Sequence, residues 1–528
     1  MIENQDDHHV NVDFDERNVV AETNENFDLK RGLQARHLTM IAIGGTIGTG
    51  LFLGSGASIA QAGPGGALIS YLVIGVMVFF MMSSLGEMAT YLPISGSFNT
   101  YAKRFVDPAL GFALGWNYWY SWATTIALEI TAGAIVMQFW FPDVPSWVWS
   151  LILLFIMLSL NLFSVKGYGE AEYWFAMIKV ITVILFIFVG ILLDIGAIGK
   201  PKEYIGSKNF DHGTFHNGFK GLLSVFLVAG FSFQGTELVG IAAGESARPE
   251  KNVPKAIKQV FWRILLFYVL AILVVGLLVA YDNPNLLGNS QDVSVSPFTL
   301  AFKLTGFVSA SHFMNAVILT TVLSAGNSAL YAASRVLYNL ALEGQAPQIL
   351  TRVTKNGVPL LSLLVTAFIG CLAFLMSLYG EGKVYIWLIN LSGVSGFIQW
   401  AGISFIHWRF RRAYVAQERP LEELAYRAKL YPFGPIFACT LTILVILGQG
   451  YSAFTSENGV DAQAVVAAYI GPPVFIALFL VYKFVKKTKI VPLLECDFDT
   501  GRRKLEEKVV LDIEEETKFW GKISKALF

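Results

Sequence analysis

The chain holds 528 residues, of which 54% are hydrophobic and only 15% charged, and its mean hydropathy is +0.55. Soluble globular chains carry roughly a quarter charged residues, so the composition excludes that class and indicates an all-α polytopic protein with the lipid bilayer as its surroundings. Lys+Arg and Asp+Glu both number 39, which leaves no basic excess to hold nucleic acid.

In chain order, the first 29 residues are acidic and polar and lack the apolar stretch of a cleavable signal peptide. Apolar runs then predict about twelve transmembrane spans, at roughly 39–62, 67–92, 110–138, 146–165, 172–195, 219–243, 259–281, 309–341, 358–378, 384–408, 432–452 and 464–485. The segment 282–305 reads as a long polar loop with a short helix near Pro297, and the charged ends 1–29 and 486–528 read as solvated or disordered. A membrane-embedded domain at 30–489 is thus expected between tails at 1–29 and 490–528. With the N-terminus inside, the inner segments hold more than three times the Lys and Arg of the outer loops, which puts both termini in the cytoplasm. Cys371 and Cys439 fall in apolar spans and Cys496 in the tail, so neither a disulfide framework nor a metal site is expected. No HExxH, GxSxG or P-loop motif occurs, and an enzyme is not expected.

Two spans are interrupted. Span 1 carries Gly44-Gly45-Thr46-Ile47-Gly48-Thr49-Gly50. Glycines there weaken a helix by up to about 1 kcal/mol each against alanine, and backbone opened at that depth must line a cavity or meet a ligand. Span 6 carries Gly230-Phe231-Ser232-Phe233-Gln234-Gly235-Thr236-Glu237, with an acid in the apolar zone. Breaks at matching places in two halves point to an inverted-repeat transporter. N–H groups at a half-helix start suit a carboxylate and carbonyl ends suit an ammonium, which together describe a zwitterion. The competing reading is that the glycines only let helices pack closely.

Ionisable residues within spans are candidates because each is costly unless paired. Tyr118, Trp122, Thr125 and Glu129 share one face of span 3 by their spacing. Two rings and a carboxylate can hold a lysine stem and its ammonium. Glu237 follows the span 6 break, Glu245 lies near the inner end of that span, and Lys179 sits about two turns inside span 5. Lys179 can gain and lose a proton there, and once protonated it can bridge to Ser324, Asn327 or Ser328 on span 8. Glu87, near the inner end of span 2, reads as structural. Ser392, in Asn390-Leu-Ser-Gly-Val-Ser-Gly396 of span 10, can line the far wall of a pocket or serve helix packing. His37, His312 and His407, near span ends, read as interfacial.

The string His37-Leu-Thr-Met-Ile-Ala-Ile-Gly-Gly-Thr-Ile-Gly-Thr-Gly50 resembles the first span of the amino acid–polyamine–organocation superfamily. Gln61-Ala-Gly-Pro-Gly-Gly-Ala67, Gly115-Trp-Asn-Tyr-Trp-Tyr120, Gly169-Glu-Ala-Glu-Tyr-Trp174, Phe231-Ser-Phe-Gln-Gly-Thr-Glu237 and Ala325-Gly-Asn-Ser328 resemble its amino acid transporter family, over about 30–490, most closely its bacterial lysine permeases. The resemblance implies a leucine-transporter-like fold: a five-plus-five inverted repeat at about 39–195 and 219–408, with two further helices at about 432–485. It implies proton-driven uptake of an amino acid across the plasma membrane, and the leading expectation is import of L-lysine by proton symport, with no cofactor beyond the proton as coupling ion. It places Glu129, Tyr118 and Trp122 at substrate-site positions, and with the residues read from the broken spans and span 10 the expected substrate contacts are Thr46, Ile47, Gly48, Thr49, Gly50, Tyr118, Trp122, Glu129, Phe231, Phe233, Glu237 and Ser392. Coupling or gating falls to Lys179, Glu237 and Glu245, with Lys179 in the place of a coupling sodium ion. An arginine, ornithine or broader permease and an exchanger are rivals within the class. A membrane-embedded lysine sensor is the rival outside it. A homodimer or signalling partner has no support in the sequence.

Overall fold

The computed structural model describes residues 47–94, 97–163, 165–200, 202–211, 213–243, 249–286, 296–354, 357–454 and 460–502. Among these the regular structure is entirely helical. Hydrogen bonds made within each segment are what a chain needs where no water can satisfy its backbone.

Helix α1 (Thr49–Phe52) leads into α2 (Gly54–Tyr91). The apolar run of α2 turns at Gly63, with φ +73 and ψ 169, immediately before Pro64. A Cβ at Gly63 would lie 1.9 Å from the carbonyl oxygen of Gly213, so only glycine fits this corner. The sequence reading ended one span at 62 and began the next at 67, on either side of it.

A short amphipathic helix, α3 (Ser97–Phe105), precedes α4 (Pro108–Gln138), which begins with Asp107 accepting a bond from the Ala109 N–H and with proline in its first turn. Next come α5 (Ser146–Phe163), α6 (Val165–Asp194), α7 (Gly218–Phe233) and α8 (Leu238–Ala243). Helix α9 (Pro249–Arg263) passes through a π-helical turn, Ile264–Val269, into α10 (Leu270–Leu278). Helix α11 (Pro297–Leu304) opens on its proline in the otherwise polar loop. There follow α12 (Val308–Leu342), α13 (Leu360–Gly370), α14 (Glu381–Ala416), α15 (Phe433–Gly448), α16 (Ala462–Tyr469) and α17 (Gly471–Lys486).

Among the described residues seven helices are long and apolar enough to cross a bilayer, and eight if the pair α16 and α17, bent by 43°, is one span. Ser146–Leu162, Leu266–Leu278 and Phe433–Gly448 are shorter and also apolar. The protein is therefore a multi-pass helical membrane protein. Helix α4 packs against both α12 and α14, and α2 packs against α7. Phe155, Phe188 and Phe484 stand exposed on α5, α6 and α17, as lipid-facing side chains do.

The tail departs from its expectation up to Arg502. Beyond Lys487 the chain folds back: the Val491 N–H donates to the Val106 carbonyl at 2.9 Å and Gln417 Nε2 to the Cys496 carbonyl at 2.8 Å. Phe498 is fully buried among Phe105, Phe410 and Tyr414, with ring centroids 5.0–5.3 Å away. Arg419 grips Asp499 through two bonds of 2.9 and 2.6 Å and holds its carboxyl below the usual carboxylate range. One buried aromatic ring and a bidentate ion pair outweigh the charge that suggested a solvated segment.

Candidate functional site

The start of α1 forms one wall. Gly48 is extended (φ −129, ψ −159) and Thr49 opens the helix, so the first N–H groups there lack intrahelical partners. A Cβ at Gly50 would fall 2.6 Å from Ser232 Cα and 2.8 Å from its Oγ. The glycine thus lets α1 cross the end of α7 in close contact. Tyr71 Oη lies 3.0 Å from Ser232 Oγ, and Tyr385 Oη donates to the Thr49 carbonyl at 3.3 Å. Ile47 is fully buried; Thr46 lies outside the described residues.

The opposite wall is the gap between α7 and α8. Gln234 leaves the helical region with ψ 150, and Gly235 takes φ +86, a conformation L side chains rarely adopt. Glu237 is buried and holds the gap from within: it accepts from the Gly235 N–H at 3.2 and 3.1 Å and from Trp400 Nε1 at 3.2 Å. Phe231 faces the cavity. Phe233 points the other way, against Tyr268, with centroids 4.3 Å apart.

Helix α4 closes the site. Trp122, Thr125 and Glu129 join Gly48, Gly50, Phe231, Ser232, Gln234 and Ala325 around a cavity of about 30 Å³. That volume admits only a water molecule or two, so a larger ligand requires Trp122 and Phe231 to move. Glu129 is 2% exposed. Its Oε1 accepts from Thr49 Oγ1 at 2.9 Å, while its Oε2 has no hydrogen-bond partner among the described residues. Tyr118, on the same helical face, lies outside the lining and packs on Phe98 and Trp122 at 5.0 and 6.0 Å. Ser392 stands behind the lining: its Oγ is 2.7 Å from Thr125 Oγ1, and its carbonyl accepts from Gln234 Nε2 at 2.8 Å. Gln234 and Ser232 are lining residues that the sequence reading quoted in a motif without assigning them a role. Polarity at a helix break is the signal that would have found them.

Lys179 is fully buried but does not line the cavity. Its Nζ is 3.9 Å from Glu172 Oε1. Ser324 donates to the same carboxylate, at 2.9 Å from Oε1 and 2.8 Å from Oε2. The expected bridge from span 5 to span 8 therefore runs through Glu172, which was not singled out. Asn327 is bonded to Asn161 Nδ2 at 2.7 Å. An acid seven residues before an intramembrane lysine lies on the same helical face, and that spacing was the available signal. Glu245 lies outside the described residues.

His407, expected near a span end, is fully buried within the protein, with Nε2 3.2 Å from Glu87 Oε1. Arg411 grips Glu87 by two bonds of 2.6 and 2.5 Å, and the Ala428 N–H donates to it at 2.8 Å. Four residues separate His407 from Arg411, one helical turn, so a single buried carboxylate draws both inward.

Residues 37–495 match the family model for amino acid permeases. The chain is 53% identical over 487 residues to the lysine-specific permease LysP of Escherichia coli, covering 92% of this chain and 99% of the relative. It is 51% identical to the lysine-specific permease LysP of Lactococcus lactis, over 89% of this chain and 92% of the relative. To the histidine permease HisP of the same bacterium it is 49% identical, over 89% of this chain and 98% of the relative.

Proposed function

The chain belongs to the amino acid permease family, and from that premise we propose that it imports L-lysine across the plasma membrane by proton symport. The observation that carries the reading is Glu129: a buried carboxylate on the cavity wall, with one oxygen bonded to Thr49 and the other without a hydrogen-bond partner among the described residues. A cationic ligand supplies the missing partner. In this reading the side-chain ammonium of lysine meets Glu129, its stem lies along Trp122 and Phe231, and its carboxylate meets the N–H groups that open α1. Because Glu129 sits against that same helix start, the ammonium must lie between the two carboxylates. Lys179 is the coupling group, since its charge is removable and its partners tie α6 to α12.

We further read the chain as twelve spans in a five-plus-five inverted repeat with both termini cytoplasmic. The supports are the Lys and Arg asymmetry, the helix break at Gln234–Glu237 and the corner at Gly63. Lysine is favoured by two lysine-specific relatives, and the histidine permease supplies the rival substrate at nearly the same identity.

The test is uptake of labelled lysine by purified protein in sealed vesicles, with every amino acid as competitor. Accumulation on an imposed inward proton gradient, displaced by lysine well below the concentration at which histidine acts, is the expected result. Equal competition by histidine would remove the lysine assignment. Binding without flux would leave a sensor.

A further inference from the structure

We propose that Glu172 is the proton acceptor for Lys179, held in place by Ser324; the proposal rests on the proton-symport reading above. Glu172 and Lys179 are sealed from solvent, with side chains 0% and 1% exposed and 3.9 Å between Oε1 and Nζ. Side chains of a helix lean toward its N-terminus, so the long Lys179 stem reaches back along α6 to a carboxylate seven residues earlier. Ser324, from α12, holds that carboxylate at 2.9 and 2.8 Å.

The remaining surroundings bring one other carboxylate and several hydroxyls toward the pair, and Glu172 is the acid in contact with Lys179, at 3.9 Å. Helix α4 contributes Glu129, which electrostatically faces Lys179. Helix α12 brings hydroxyls, Ser324 and Ser328. The π-helical turn brings Tyr268, whose hydroxyl donates to the Ser232 carbonyl at 2.7 Å. Helices α5 and α10 carry no Asp, Glu, His, Lys, Arg, Tyr or Cys.

The step conserves charge. One N–H bond of the Lys179 ammonium breaks and an O–H bond forms on Glu172, leaving a neutral amine and a neutral acid. No isolated charge is created in the low-dielectric interior, where an unpaired one is strongly disfavoured. The separation needs one rotamer adjustment or one bridging water for transfer. Seven residues at 1.5 Å each set Glu172 about 10 Å closer to the N-terminal end of α6. In the topology above that end faces the cytoplasm, so the carboxyl lies on the exit side of Lys179.

The experiment compares wild type, Glu172→Gln and Glu172→Asp in proteoliposomes. Gradient-driven lysine accumulation, lysine–lysine counterflow without a gradient, and the external pH profile of uptake are read together. Glutamine keeps an acceptor for Ser324 and cannot take the proton. Accumulation should therefore fall about tenfold more than counterflow and the pH profile should flatten, with aspartate restoring part of both. Equal losses in both assays with an unchanged pH profile, or wild-type accumulation in Glu172→Gln, would overturn the assignment. If Glu172→Gln does not fold, Ser324→Ala keeps both charges and loosens the clasp; a shifted pH profile is expected, and an unshifted one overturns the proposal. A wild type that exchanges lysine but gathers none on a proton gradient refutes the symport reading itself, a result distinct from any failure of the variants.

Discussion

Two glycines one residue apart at the start of α1 face different obstacles. A Cβ at Gly48 would sit 3.4 Å from Glu129 Oε1 and 3.6 Å from Ala325 Cβ, ordinary contact, whereas at Gly50 it would meet the Ser232 backbone at 2.6 Å. Gly50→Ala should therefore cost about 1–3 kcal/mol through overpacking, seen as a lower melting temperature in detergent and loss of uptake. Gly48→Ala should keep near-normal stability, because its methyl fits. Matching melting curves for the two variants would show that α1 and α7 are not in close contact. Glu129 carries the second prediction at this scale. Glu129→Gln should raise the half-saturation for lysine at least a hundredfold at normal surface expression, from roughly 3–5 kcal/mol for breaking a buried charge pair and about 1.4 kcal/mol per tenfold. Unchanged apparent affinity would take Glu129 out of the pocket.

At the scale of elements, the break between α7 and α8 falls where a polar group stands ready to replace the lost backbone bonds. Glu237 satisfies the Gly235 N–H inside the gap between α7 and α8, so this acid does for an interrupted helix what a capping side chain does at an ordinary end. The returning tail is a second device of this kind, joining the start of α4, the end of α14 and the chain past α17. Its anchor is Phe498, and Phe→Ala at a fully buried site costs about 3–5 kcal/mol. Phe498→Ala should release the strap, read as at least a tenfold faster reaction of the buried Cys496 with a maleimide in a Cys371→Ser, Cys439→Ser background. A labelling rate unchanged by the substitution would mean that other contacts hold the strap. Acid should loosen the Asp499–Arg419 clamp as well. The folded carboxyl titrates below its unfolded value near 3.9, so its contribution is present above that pH and is lost as pH falls through the folded value.

Across the whole molecule, formal charge balances at zero, but the balance inside the bundle is local. Glu172 and Lys179 pair along α6, and Ser324 of α12 holds the carboxylate. Glu87, Arg411 and His407 form a separate group that ties the end of α2 to α14 and, through Ala428, to the connector beyond it. Removing one partner leaves a buried charge unmatched, whereas removing both together is far milder. Arg411→Met alone should therefore lower stability by about 3–5 kcal/mol, and the double variant Arg411→Met, Glu87→Gln should recover most of that loss in detergent melting. Additive losses would show that the two residues are not coupled.

Composition, apolar period and glycine clusters were enough to place the chain in a bilayer, to put a corner between residues 62 and 67 and to locate a break just before Glu237. Those features are local, because a segment in lipid must satisfy its own backbone and so announces in its own residues where it cannot. Pairing across helices was not legible in the same way. That Ser324 clasps Glu172, that Gly50 rather than Gly48 abuts α7, that Phe233 turns away from the cavity Phe231 lines, and that His407 lies buried on Glu87 all depend on which helix stands beside which. Helical spacing assigns a residue to a face but leaves open what that face meets. The docked tail shows the same limit: its charges read as solvated until the packed bundle provided an aromatic cage for Phe498 and an arginine for Asp499.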